Sequence, residues 1–123
     1  MVPCVVESAA PDARVKLEHS SVKVEAEIPA GAVGKKGTFG ARPEDLALTT
    51  GGDAIFKGKV EIVEHLGELT MLYVDCGYGD NHVIAKLDGN VPMERGREVG
   101  LTAPINTLHV FDENGNAFRR KGA

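Results

Sequence analysis

The stretch 57-KGKVEIVEHLGELTMLYVDC-76 decides the fold. Its first half begins by alternating polar and apolar residues, the period of a strand with one wet face. Near its end Ile62 and Val63 stand side by side, so the alternation slips, and a bulge or bend is expected there. The second half, 69-LTMLYVDC-76, is apolar at both parities and reads as a strand covered on both sides. Between the halves lies Gly67, flanked by Leu66 and Glu68, where a tight corner with positive φ is the expected use of glycine. Two strong strands joined by a corner make a β-hairpin rather than a helix.

The same period recurs outward from this hairpin. In 21-SVKVEAEI-28, Val22, Val24, Ala26 and Ile28 share one face. Val15 and Leu17 do so in 14-RVKLE-18, and Val83, Ala85 and Leu87 in 82-HVIAKL-87. The run 3-PCVVES-8 reads as a first strand. Turn chemistry separates these runs at 29–31, 50–53, 77–81 and 88–90. Asn114-Gly115 is a hairpin signal that would join 107-TLHVFD-112 to 117-AFRR-120. One helical turn is expected at 43-PEDLAL-48, with Pro43 at the first position and Glu44 and Asp45 at the positive end of the dipole. The fold class is therefore all-β, a barrel or sandwich. The strand order also fits two barrel-like lobes in one compact unit, split near residues 50–54.

Composition agrees. The 123 residues suit one domain, and a chain of this size buries roughly 65% of its unfolded surface. Net charge is −4 and the sequence pI about 5.5, so the basic stripe that phosphate contacts require is absent. The densest basic run is 119-RRKGA-123. Cys4 and Cys76 both lie in apolar runs and read as buried free thiols, which suits a reducing, cytoplasmic setting. No apolar run approaches the ~18 residues of a membrane span, and the N-terminus does not have the form of a secretory signal.

The Gly- and Lys-rich stretch 31-GAVGKKGTFGARPEDL-46 invites a phosphate-loop reading. A phosphate loop needs G-x-x-x-x-G-K-[ST] opening a helix. Gly31 and Gly34 are too close together, Lys35 is followed by Lys36, and Gly40 and Pro43 fall where the helix would run. The stretch reads instead as a turn with solvated lysines. His19, His65, His82 and His109 are not spaced as a contiguous zinc motif. No serine sits in a nucleophile elbow, and four Phe and two Tyr poorly supply a base-stacking platform.

Three motifs in order resemble the C-terminal TOBE domain of ATP-binding-cassette ATPase subunits that drive sugar import, of the maltose and glycerol-3-phosphate types. They are 40-GARPEDL-46, 58-GKVEIVEHLGELTMLYVD-75 and 105-INTLHVFDENGNAFRR-120. Together they span most of the chain. The resemblance implies an OB-type β-barrel that is non-catalytic by itself. It follows a nucleotide-binding domain which carries the Walker A, signature and Walker B segments and uses ATP and magnesium. It also implies a homodimer under two membrane permease subunits at the cytoplasmic side of the inner membrane, with regulatory proteins as further partners and no nucleic acid. On this reading residues 1–123 form a single TOBE-type domain separated from its nucleotide-binding domain, with no cofactor or metal of its own. The motif positions expected to shape the fold or make contacts are Arg42, Pro43, Glu44, Glu64, Leu66, Gly67, His109, Phe111 and Asp112. An ion pair between Arg42 and Glu64 is a candidate, and His65 is expected on the surface. The alternatives are an oxyanion (molybdate)-binding barrel, whose loop sequence is not found here, and a nucleic-acid-binding OB barrel, which the acidic balance opposes.

Overall fold

The computed structural model describes residues 2–18, 20–79 and 81–119. The chain forms two compact units, one of residues 1–41 with 104–123, the other of residues 42–103. In chain order the strands are β1 (Val2–Ser8), β2 (Arg14–Lys16), β3 (Ser21–Lys23), β4 (Lys36–Gly40), β5 (Ala47–Thr49), β6 (Phe56–His65), β7 (Leu69–Asp75), β8 (Val83–Asp88), β9 (Glu98–Thr102) and β10 (His109–Phe111). Only three short 3-10 turns accompany them, and no α-helix occurs among the described residues. The fold is all-β, as the alternation demanded. The division differs from a split near residue 50: the first unit is interrupted, and the second is inserted into it.

The first unit holds one antiparallel sheet in the order β10-β4-β1-β2-β3. Val2, Cys4 and Val6 are buried while Pro3, Val5 and Glu7 are exposed, so β1 shows period two along its length. Burial alternates through residues 21–28 as expected, but β3 ends at Lys23, because its partner β2 runs out at Arg14. Burying each such Val or Leu contributes roughly 1.5–3 kcal/mol. The stretch 31–40 enters β4, not a helix. Gly34 has φ +85, and Gly37 lies so close to the neighbouring strand that an added Cβ would sit 2.4 Å from the Phe111 carbonyl oxygen. The hairpin after β10 forms around Asp112, whose Oδ1 accepts the amides of Asn114 and Asn116, both at 2.9 Å. Its return is a single bridge from Phe111 to Ala117. The expected closing strand ends in residue 120, and residues 120–123 of the basic run lie outside the described residues, as does His19.

The second unit holds a second antiparallel sheet, in the order β5-β9-β6-β7-β8. The β6–β7 register shifts between Val60 and Ile62, so Glu61 is the extra residue of a bulge. This lies one position before the Ile62-Val63 pair that signals it. Leu66 N–H donates to the Leu69 carbonyl at 2.9 Å, closing a two-residue turn of Gly67 and Glu68. Gly67 has φ +79 and, among the described residues, no non-glycine residue has positive φ, which makes this a type II′ turn. β7 is buried on one face (Thr70, Leu72, Val74) and half-buried on the other (Leu69, Met71, Tyr73), so it is not covered fully on both sides.

The expected helix at 43–48 is only the 3-10 turn Pro43–Asp45. Ala47–Thr49 is drawn into β5 by pairing with β9. That turn packs against β8. The segment feeding the first strand of the sheet thus lies beside the last strand, and the sheet curls toward a barrel.

Candidate functional site

The first motif forms the barrel corner. Arg42 is exposed and extended, and its carbonyl accepts the Asp45 amide at 2.9 Å. Pro43 supplies a preset φ at the first turn position, and Glu44 points to solvent. Leu46, 4% exposed, anchors the corner. Among the described residues no ion pair joins Arg42 to Glu64, so the candidate pairing is not formed. Hydrogen bonding to Glu64, then desolvation and the carboxylate's charge, raises the Tyr73 pKa above its usual 10.0.

The second motif builds the most distinctive surface of the inserted unit. Register fixes it. Val60, Val74 and Val83 pair across the three strands and are buried, as are Leu72 and Ala85. The rows between them must face outward. One is Ile62–Tyr73–Ile84. The next is Glu64–Met71–Lys86. Ile62 is 45% exposed, and Leu66, at the turn, 55%. At the bulge end, Glu61 reaches over β7 and its Oε2 meets Nε2 of His82 at 2.7 Å. The His82 ring stands edge-on to Tyr73, with centroids 6.4 Å apart. Arg95 Nε donates to the Glu61 carbonyl at 2.8 Å, which pins the bulged residue from the loop before β9. Spacing along the chain did not disclose this cluster, because 21 residues separate Glu61 from His82. The slip at Ile62-Val63 was the one local signal of the bulge that aims Glu61. His65 is exposed, as expected.

The third motif lies in the other unit. His109, Val110 and Phe111 pair with Gly40, Phe39 and Thr38. His109 and Phe111 are half-buried, and Asp112 organises the turn described above. An open groove of about 340 Å³ runs beside it, lined by Val6, Pro29, Lys35, Lys36, Asp112 and Phe118. Lys35 reaches Glu113 at 3.6 Å with both side chains more than half exposed.

The described residues form no metal centre. No group of three His, Cys, Asp or Glu side chains gathers there to hold a metal ion. Cys4 and Cys76 are free and buried. Burial pushes both thiols up to about 11, against the Gly37 backbone hydrogen bond at Cys4 and helped by the Asp75 charge at Cys76. Such thiols are inert at neutral pH. Among the described residues no helix is long and apolar enough to cross a membrane.

The comparisons with known proteins agree with the motifs. A family model described as the TOBE domain matches residues 39–111. This range covers the inserted unit, the last two residues of β4 and the whole of β10. The alpha-glucoside transport ATP-binding protein AglK of Rhizobium meliloti (strain 1021) is 38% identical over 120 residues, 97% of this chain and 33% of that protein. The maltose/maltodextrin import ATP-binding protein MalK of Vibrio cholerae is 36% identical over 87 residues, 71% of this chain and 23% of that protein. Its counterpart in Shigella flexneri is 32% identical over 88 residues, 72% of this chain and 24% of that protein. The chain thus spans only 23% to 33% of the length of these relatives. Their names speak of sugars and not of oxyanions, which leaves the molybdate alternative without support.

Proposed function

Because this chain belongs to the TOBE domain family, we propose that it is the regulatory and dimerisation domain of the ATP-binding subunit of an ABC transporter that imports sugars or sugar phosphates, and is non-catalytic by itself. The observation that carries this reading is the match to AglK along 97% of the chain. ATP and magnesium belong, on this reading, to a nucleotide-binding domain elsewhere in the subunit. The partners are that domain, a second copy of the subunit, the membrane permease subunits, and regulatory proteins that meet the exposed sheet faces. The location is the cytoplasmic side of the inner membrane. The surface described above supports a contact role: it sets the apolar side chains of Ile62, Tyr73, Met71 and Ile84 between the charges of Glu64 and Lys86.

The test is a graft. This chain replaces the matching third of AglK, and alpha-glucoside uptake is measured in cells lacking the native subunit. Uptake within a fewfold of the parent is expected. A folded, membrane-associated chimaera without uptake would overturn the reading, as would ATP turnover by the purified 123-residue chain.

A further inference from the structure

The outward face of β6–β7–β8 has a pattern that a merely solvated face does not need. Its centre is apolar: Ile62, Tyr73 and Ile84 in one row and Met71 in the next. The second row ends in opposite charges, Glu64 on β6 and Lys86 on β8. We infer that this face docks against the same face of a second copy of the chain, about a two-fold axis parallel to β7. The inference rests on the proposed dimerising role and names the surface and the arrangement that would serve it.

Charge selects the arrangement. Two identical faces can meet only about a two-fold axis lying in the plane between them. An axis along β7 lays β6 of one copy over β8 of the other. Each row then meets its own reverse. Glu64 faces Lys86 of the second copy, twice over, Met71 faces Met71, and Ile62 faces Ile84. An axis across the strands sets each row against the other one, which places Glu64 and Lys86 on isoleucines and leaves both charges unpaired and desolvated. The Glu64 carboxylate can accept an ammonium through either oxygen. The Glu61–His82 bond seals the bulge end of the face within one copy. Glu61 and Glu64 on the same surface disfavour a nucleic acid or an anionic membrane as its occupant. So small a patch falls below the standard interface of roughly 1,600 Å², so the pair is weak and concentration-dependent.

Sedimentation equilibrium of the 123-residue chain from about 1 µM to 1 mM tests this. Glu64→Lys and Lys86→Glu each place like charges opposite one another, and each should weaken association at least tenfold. The double swap Glu64→Lys/Lys86→Glu should restore it to within about threefold of the parent. Met71→Cys should cross-link to itself under mild oxidation, whereas Glu113→Cys in the other unit should not. Thermal melts confirm that every variant is folded. The inference is overturned if the parent stays monomeric at 1 mM, if the single swaps associate like the parent, or if the folded double swap fails to recover. A working AglK graft alongside any of these results would leave the transporter reading standing and remove only this surface.

Discussion

The Thr70 hydroxyl donates to the Gly89 carbonyl at 2.9 Å and accepts the Val91 amide at 3.0 Å. Thr70 is the single buried polar side chain among the described residues. It ties the loop after β8 to the middle of the barrel. Thr70→Val keeps the shape and leaves a part-buried carbonyl and amide without this partner. The expected cost is about 1–3 kcal/mol, read as a lower urea midpoint with an unchanged slope.

Two glycines of β6 and its turn should respond differently to alanine. At Gly58 an added Cβ would sit 2.1 Å from the Asp75 carbonyl oxygen, which is backbone and cannot swing aside. Gly58→Ala should cost about 2–4 kcal/mol by forcing β6 from β7. At Gly67 the space is open but φ is +79. Gly67→Ala should cost only about 1–2 kcal/mol, the left-handed penalty. Calorimetric melting of both variants checks the order.

Arg42 and Glu64 act independently in this structure. Melting shifts of Arg42→Ala and Glu64→Ala should add in the double variant to within about 0.5 kcal/mol. Glu64→Ala should also lower the Tyr73 pKa toward its usual 10.0, since the bond and charge that raise it are gone. Ultraviolet titration of the phenol measures that shift.

The thiols set an alkaline limit. Both are raised from 9.0 to about 11 in the fold. Below pH 9 the native and unfolded chains both keep these protons, and the contribution is fully present. Above it the unfolded chain sheds them first, so stability falls until the native thiols ionise near pH 11. The loss should reach up to about 2–3 kcal/mol per thiol. Urea unfolding across this range should show a shallower decline in Cys4→Ala/Cys76→Ala than in the parent, whatever the cost of the substitutions at pH 7.

What the sequence made legible was local. Alternation in residues 14–18, 21–28 and 82–87 foretold burial, because the pleat alone decides which side chains turn inward. The turn at Gly67 and the bulge near Ile62 were legible for the same reason. Pairing across long separations was not. β9 escaped notice because Gly100 interrupts its short run; yet an added Cβ at Gly100 would approach the Thr49 carbonyl oxygen at 2.9 Å, so the glycine is what lets β5 come alongside. β5 itself was read as helix, since Pro43-Glu44-Asp45 opens a turn well and nothing local says that Ala47 finds a strand partner 55 positions on, at Thr102. The outward rows and the Glu61–His82 bond depend on register, which no single segment encodes. The family resemblance supplied what periodicity could not.

The interruption of the first unit governs how the chain is made. A ribosome delivers β1 to β4 first, and the edge of β4 that β10 will cover stays open while residues 42–103 emerge. An open edge is a template for wrong pairing. The inserted segment can complete all its strands during that interval. Ala47 pairs with Thr102, so once the insertion is folded its ends lie close together, and the entropy of closing a long loop has already been met. The speed with which the barrel of residues 42–103 matures therefore sets how long the nascent protein is open to aggregation.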